Sequence, residues 1–336
     1  MRTTFAPILV LLLFVINGCA SGGKEAPALE ADLFPEARFL TAEGTGETEL
    51  EARREALAAL SGIFESKVHA ETTSRARSAI GTGGDEVFEK QVESRVAVVS
   101  TVQLTGAKIG RVWRLETGAA PYHALAVLDR NQAGRKWAAE LATVQALVAA
   151  ELKTLEQTSG RVQRLAALNK VLAGLLREQA LESRLRVLNY PARAMLDADM
   201  DKIATELIQL RSEVRLFIEL YGDGHASATA RIADKLTTNG FLLSAERHSA
   251  DAVITGRIKT RPLELNNPRA KFVRATATVK VIETDTGATL ANVIADVRKA
   301  HVDPNEAQLN AIRQVADTLA ERLTAAIGFS APAGMQ

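Results

Sequence analysis

Histidines, a lone cysteine, glycine pairs and clustered cations are the residues from which this chain could build a reactive or binding site. The five histidines, His69, His123, His225, His248 and His301, stand far apart with no H-x-x-x-H or H-E-x-x-H spacing, so zinc has no ligand set. His123, beside Tyr122, falls in a strand-like apolar run and reads as packing. No G-x-S-x-G elbow, phosphate-binding loop or lysine–serine dyad pattern is present. Gly44-Thr45-Gly46 begins like a dinucleotide loop, but the third glycine position is Glu49, whose carboxylate would repel a pyrophosphate. A tight strand-to-helix turn accounts for the pair. Asp223, between Gly222 and Gly224 ahead of a helical run, is placed to cap that helix. Arg257, Lys259, Arg261, Arg269, Lys271 and Arg274 gather on two adjacent strand-like segments and their connection. They form a local basic face that could contact an anionic glycan or phosphate. Neither a cofactor nor a metal is expected, and the chain is not expected to be an enzyme.

The elements that must position these residues are ordinary globular ones. The chain has 336 residues, 47% hydrophobic, 24% charged and only 4% aromatic, which excludes a collagen-like or wholly disordered chain and predicts two or three domains. Forty-one Lys and Arg oppose 40 Asp and Glu; without residues 1–18, which hold Arg2 and no acid, 40 bases face 40 acids. Bulk charge therefore gives no reason to expect nucleic acid as a partner.

Met1-Arg2 supplies a positive start, and an apolar run over residues 8–16 follows, too short for a bilayer span of ~20 residues. Ile16-Asn17-Gly18-Cys19 resembles the bacterial lipobox, in which the cysteine is acylated. Cys19 is also the chain's one cysteine, so lipidation gives a use to a thiol that would otherwise be odd in an exported protein. Several acyl chains on it would anchor stably. Ala20, where Asp tends to retain such proteins in the inner membrane, implies sorting to the outer membrane, facing the periplasm. Residues 19–36 read as a tether rich in Gly, Pro and charge, the seventeen after Cys19 spanning roughly 23 Å root-mean-square.

Residues 37–130 read as a first domain: a strand at 38–46, a helix with one apolar face through Ala52, Ala56, Leu60, Phe64 and Val68, a loop over 71–90, then three strands at 92–104, 108–115 and 122–128. The order is β-α-β-β-β. Residues 131–213 carry three apolar stripes stepping by four and three, on Trp137 to Leu155, Val162 to Leu188 and Leu196 to Leu210. They predict an antiparallel helical bundle that packs on its neighbours and can act as a spacer. Residues 214–329 alternate as β-α-β-β-β-β-α, an α/β sandwich whose strand near 273–281 puts Val and Ala on one face and Arg, Thr and Lys on the other. Residues 330–336 are a tail. The fold class is α+β.

Phe39 to Gly46, the Ala-rich helix and Tyr122 to Arg130 resemble the LPP-type antigenic outer-membrane lipoprotein family and the flagellar-assembly protein T group. That resemblance implies envelope location and no catalytic residues. Residues 250–256 and 279–287 resemble a domain shared by penicillin-binding-protein activators, the curli secretion lipoprotein and the Tol-system propeller protein. The expected protein is a non-enzymatic outer-membrane lipoprotein that scaffolds or activates envelope machinery through protein–protein contacts, held to the membrane by the lipid on Cys19. The alternative is a subunit of an oligomeric secretion or flagellar-basal assembly, and homo-oligomers fit either.

Overall fold

The computed structural model describes residues 33–80, 86–100, 104, 106–115, 120–196, 198–265 and 269–327. Cys19, the tether up to residue 32 and the tail lie outside the described residues. The fold is α+β, in the element order β1 (Phe39–Gly46), α1 (Glu49–Ile80), α2 (Glu86–Ser100), β2 (Lys108–Arg114), β3 (Tyr122–Asp129), α3 (Arg130–Gln157), α4 (Arg161–Val187), α5 (Met200–Glu213), β4 (Arg215–Gly222), α6 (His225–Thr238), β5 (Leu242–Leu243), β6 (Ala252–Leu263), β7 (Lys271–Glu283), β8 (Thr289–His301) and α7 (Pro304–Ile327).

The N-terminal sheet has three antiparallel strands in the order β1-β3-β2, one fewer than the sequence reading gave it. The loop expected over 71–90 and the strand expected over 92–104 are largely helix. Phe64, Val68, Thr72 and Ala76 continue one buried row through the polar stretch of α1, and the Thr72 hydroxyl donates to the Val68 carbonyl, 2.7 Å. In α2, Phe88, Val92, Val96 and Ser100 are buried at steps of four while Val98 lies exposed, so the period is helical and not two. α1 starts at a capping box: Glu51 N–H donates to the Thr48 hydroxyl, and Thr48 N–H to the Glu51 carboxylate.

Gly44 and Gly46 do not form a turn. Both lie within β1, paired with Ala124 and Tyr122. A Cβ on Gly44 would stand 2.0 Å from the Ala56 backbone nitrogen of α1, and one on Gly46 2.6 Å from that of Ala52. The glycines let helix backbone rest directly on strand backbone.

α3, α4 and α5 pack as the helical stripes require, with Leu165, Leu168, Leu172, Leu176 and Leu181 of α4 almost wholly buried. One apolar cluster runs from Leu40 through these helices to Ile327. Two ties cross it. Buried Arg130, the first residue of α3, donates to the carbonyls of Glu36 and Val187, each at 3.0 Å, so the entry to β1 is stitched to the end of α4. The second tie is at the start of α4, where Gly160 offers no side-chain cap. Glu283 at the end of β7 accepts the Val162 and Gln163 N–H groups instead, both at 3.2 Å, and the missing Cβ of Gly160 leaves room for its carboxylate.

The C-terminal sheet has the order β5-β4-β6-β7-β8, parallel between β5, β4 and β6 and antiparallel from β6 to β8. α6 and α7 cover one face, where Ile254, Ile258, Val279 and Val281 meet Ile232, Val315 and Leu319. The other face holds the charged residues. Among the described residues, no helix is long and apolar enough to cross a membrane.

Candidate basic interface on the open sheet face

Side chains alternate across a strand, so the burial of Ile258 and Val279 under the helices puts their neighbours on the uncovered face. Arg257, Lys259 and Arg261 follow one another there along β6, beside Arg274 and Lys280 of β7 and Arg298 of β8. The register aligns Arg261 with Arg274 and Arg274 with Arg298, three arginines in one row across three strands about 4.8 Å apart. Like charges directly opposite one another repel, and the carboxylate that meets this row comes from the next one, opposite Thr276.

That carboxylate is Asp296. Arg274 Nε donates to its Oδ1 at 2.7 Å while Nη2 reaches Oδ2, a two-pronged pair. The hydrogen bond from Arg274 holds the Asp296 carboxyl below its ordinary range, with the charges of Arg274 and Arg261 adding to it. The same bond pushes Arg274 further toward its charged form. Arg298 lies with its guanidinium carbon 5.6 Å from the Phe272 ring centroid. The second carboxylate on this face, Glu219 of β4, is engaged by Arg247 at 2.8 Å and raises the pKa of exposed Tyr221 through a hydrogen bond. Across the strands of the open face seven cations, Arg215, Arg257, Lys259, Arg261, Arg274, Lys280 and Arg298, meet two carboxylates, Glu219 and Asp296.

The structure thus brings together four of the six cations singled out from sequence. Arg269 stands in the connection between β6 and β7. Lys271 alternates with Phe272 and shares the side of Val273, which faces the helices, so it belongs to a groove of about 550 Å³ bordered by Thr260, Phe272, Pro304 and Gln308. Arg298 lies outside that cluster because only strand register sets it beside Arg274; Lys280 shares Arg274's face by the alternation of β7 itself.

Asp223 does not cap α6. Its carboxylate accepts the Thr260 N–H at 2.7 Å and the Thr260 hydroxyl at 2.8 Å, continuing the β4–β6 ladder just where β4 turns away. The Thr260 N–H bond depresses its pKa, and the hydroxyl contributes next. The histidines serve separate contacts: His123 meets Glu43 at 2.8 Å and stacks on Trp113, His225 meets the Gly222 carbonyl, and His301 accepts the Asp303 N–H. Among the described residues no group of three His, Cys, Asp or Glu could hold a metal.

Comparison with known proteins bears on this unit. Residues 208–324 match the family model of the TP0693-like lipoprotein C-terminal domain. The match spans from α5 to α7 and contains the whole basic face. No curated protein matches the chain. Among solved structures, a minor lipoprotein from Acinetobacter baumannii is similar over 34% of this chain and 89% of its own, at 23% identity and TM-score 0.27. The secreted protein HP1454 of Helicobacter pylori covers 83% of this chain and 97% of its own, at 11% identity and TM-score 0.33. The PelC dodecamer of Paraburkholderia phytofirmans covers 32% and 88%, at 16% identity and TM-score 0.24. Likenesses of this degree carry no argument about role.

Proposed function

We propose that this chain is a lipid-anchored envelope protein, attached through Cys19 to the outer membrane and facing the periplasm, that scaffolds or activates envelope machinery without catalysing a reaction. Its C-terminal unit docks a partner protein through an acidic surface placed on the open face of the sheet. The observation that carries this reading is the segregation of charge: a chain of almost zero net charge concentrates seven cations against two carboxylates on one uncovered sheet face. Electrostatic complementarity of that kind guides encounter and orientation. The lipoprotein match over residues 208–324 supports the location.

The test is crosslinking and capture from intact cells with the wild-type chain, Cys19→Ser, and Lys259→Glu combined with Arg261→Glu. The reading expects envelope proteins with the wild type and their loss with the charge reversal. It expects Cys19→Ser to leave the membrane fraction. An unchanged partner set after charge reversal overturns the basic-face role; a Cys19→Ser chain that remains membrane-bound overturns the anchor.

A further inference from the structure

β8 is the outer strand of its sheet, thirteen residues long, and among the described residues no strand pairs with its far side. Long regular edges are templates for further pairing, which proteins ordinarily blunt with bulges, proline or a covering element. Here one side chain does so: Arg322 of α7 donates to the Ile294 carbonyl. That bond also shows which backbone groups point off the sheet. N–H and C=O of one residue point the same way in a strand, so Ile294, Asp296, Arg298 and Ala300 present theirs outward. Large apolar side chains stand exposed on the strand and just past it, Ile294 at 56% and Val302 at 77%.

We propose that a second copy of this chain adds to β8, antiparallel, with the two-fold axis at Val297. The choice of occupant rests on self-complementarity. With the axis at Val297, Asp296 faces Arg298 of the other copy, twice, and Ile294 faces Ala300, twice, while Val297 meets itself on the helix side. An axis at Asp296 sets that carboxylate against itself, and one at Arg298 sets the two guanidiniums together. An axis at Ala295 pairs Ile294 with Asp296. Of these four axes, the one at Val297 sets Asp296 against Arg298 twice and puts no like charges opposite one another. The Asp296 carboxylate has lone pairs left after Arg274 to accept a further guanidinium. Four outward residues from each strand exchange about eight backbone hydrogen bonds in this register. The result is a ten-stranded sheet on which two basic faces join into one.

The experiment uses the full-length chain in detergent in the Cys19→Ser background, which removes its native cysteine. Val297→Cys places two thiols across the axis, where opposed residues outside the hydrogen-bonded pairs lie about 4.5 Å apart at Cα, within disulfide reach. Lys299→Cys places them four residues out of step, about 13 Å apart and beyond it. The expected result under mild oxidation is a disulfide-linked dimer for Val297→Cys and none for Lys299→Cys. Light scattering on the unmutated chain is expected to give a dimer mass. Arg298→Glu, an exposed substitution whose fold is checked by circular dichroism, is expected to give a monomer. Arg322→Ala is expected to lower the concentration at which the dimer forms, because it frees the Ile294 carbonyl. A monomer mass at every concentration, or a dimer crosslinked through Lys299→Cys and not Val297→Cys, overturns the proposal. A monomer leaves the acidic-partner reading untouched, since that concerns the sheet face and not its edge.

Discussion

The tie between Glu283 and α4 sets up a sharp test of how the helical middle is joined to the C-terminal sheet. Glu283 is 2% exposed and accepts two N–H groups from the first turn of a helix whose own cap residue is glycine. Hydrogen bonds to a charged acceptor contribute about 1.5–3 kcal/mol each, and the 3.2 Å lengths point to the lower end, so Glu283→Ala should cost about 3 kcal/mol. Glu283→Gln keeps an accepting oxygen but loses attraction to the helix N-terminus, for a cost of about 1 kcal/mol. Gly160→Ala attacks the same contact from the other side. Its Cβ would lie 2.3 Å from one carboxylate oxygen and 2.4 Å from the other, so the carboxylate must leave, at a cost of about 2 kcal/mol. Combining Gly160→Ala with Glu283→Ala removes the clash along with the cap. The pair should therefore cost little more than Glu283→Ala alone, a coupling of about 2 kcal/mol. Urea unfolding followed by circular dichroism gives the energies, and amide exchange at Val162 and Gln163 reports the helix start. Additive energies, or unchanged exchange at those two amides, would refute the capping account.

Other perturbations follow from the same geometry. Gly44→Ala should destabilise the N-terminal sheet by about 1–3 kcal/mol, read as a lowered urea midpoint, because its Cβ meets α1 backbone and no side chain can yield. Asp129 and Asp223 both hold carboxyl pKa values depressed by backbone N–H donors. Groups of this sort lend stability that is present above the unfolded carboxylate value near 4 and lost as pH falls through the folded value. Melting temperature should accordingly drop below about pH 4, and Asp129→Asn or Asp223→Asn should flatten that slope while leaving neutral-pH charge effects small. Asp296→Asn frees Arg274 and raises the positive charge of the open face. Binding of a captured acidic partner should then become steeper in its dependence on salt, measured by titration across ionic strength.

Much of this fold is legible in the chain because burial writes a period into it. The first two stripes of the helical middle and the alternation around Val279 come out as read, and the third does from Met200, with Leu196 standing ahead of α5. The misreading fell on α2, where Val92, Val96 and Val98 look alternating until burial shows that Val98 faces solvent. β-branched residues there favour strand locally, and packing against α1 and α4 overrides that preference. The basic face was half visible. Spacing of two along β6 announces Arg257, Lys259 and Arg261, whereas Lys271, grouped with them from its nearness in sequence, lies on the opposite side because its step to Arg274 is odd. Arg298 could not be found, since its place beside Arg274 depends on a hairpin register with a shift near Val281 and Ile282. Nor could Glu283 be linked to Val162, 121 residues away, by any local pattern.

Arg130 has a mechanical consequence. Whatever pulls on the chain upstream of Leu33 meets Phe34, edge-on to Phe39, and the Pro35 carbonyl, which accepts the Arg38 and Phe39 N–H groups. It then meets Glu36, tied to the Val187 carbonyl at the end of α4 by the guanidinium of Arg130. The Arg38 carbonyl takes the backbone N–H of the same residue. Tension at the entry to β1 is thus shared with the end of α4 and the start of α3 and does not fall on the first β1–β3 hydrogen bonds alone.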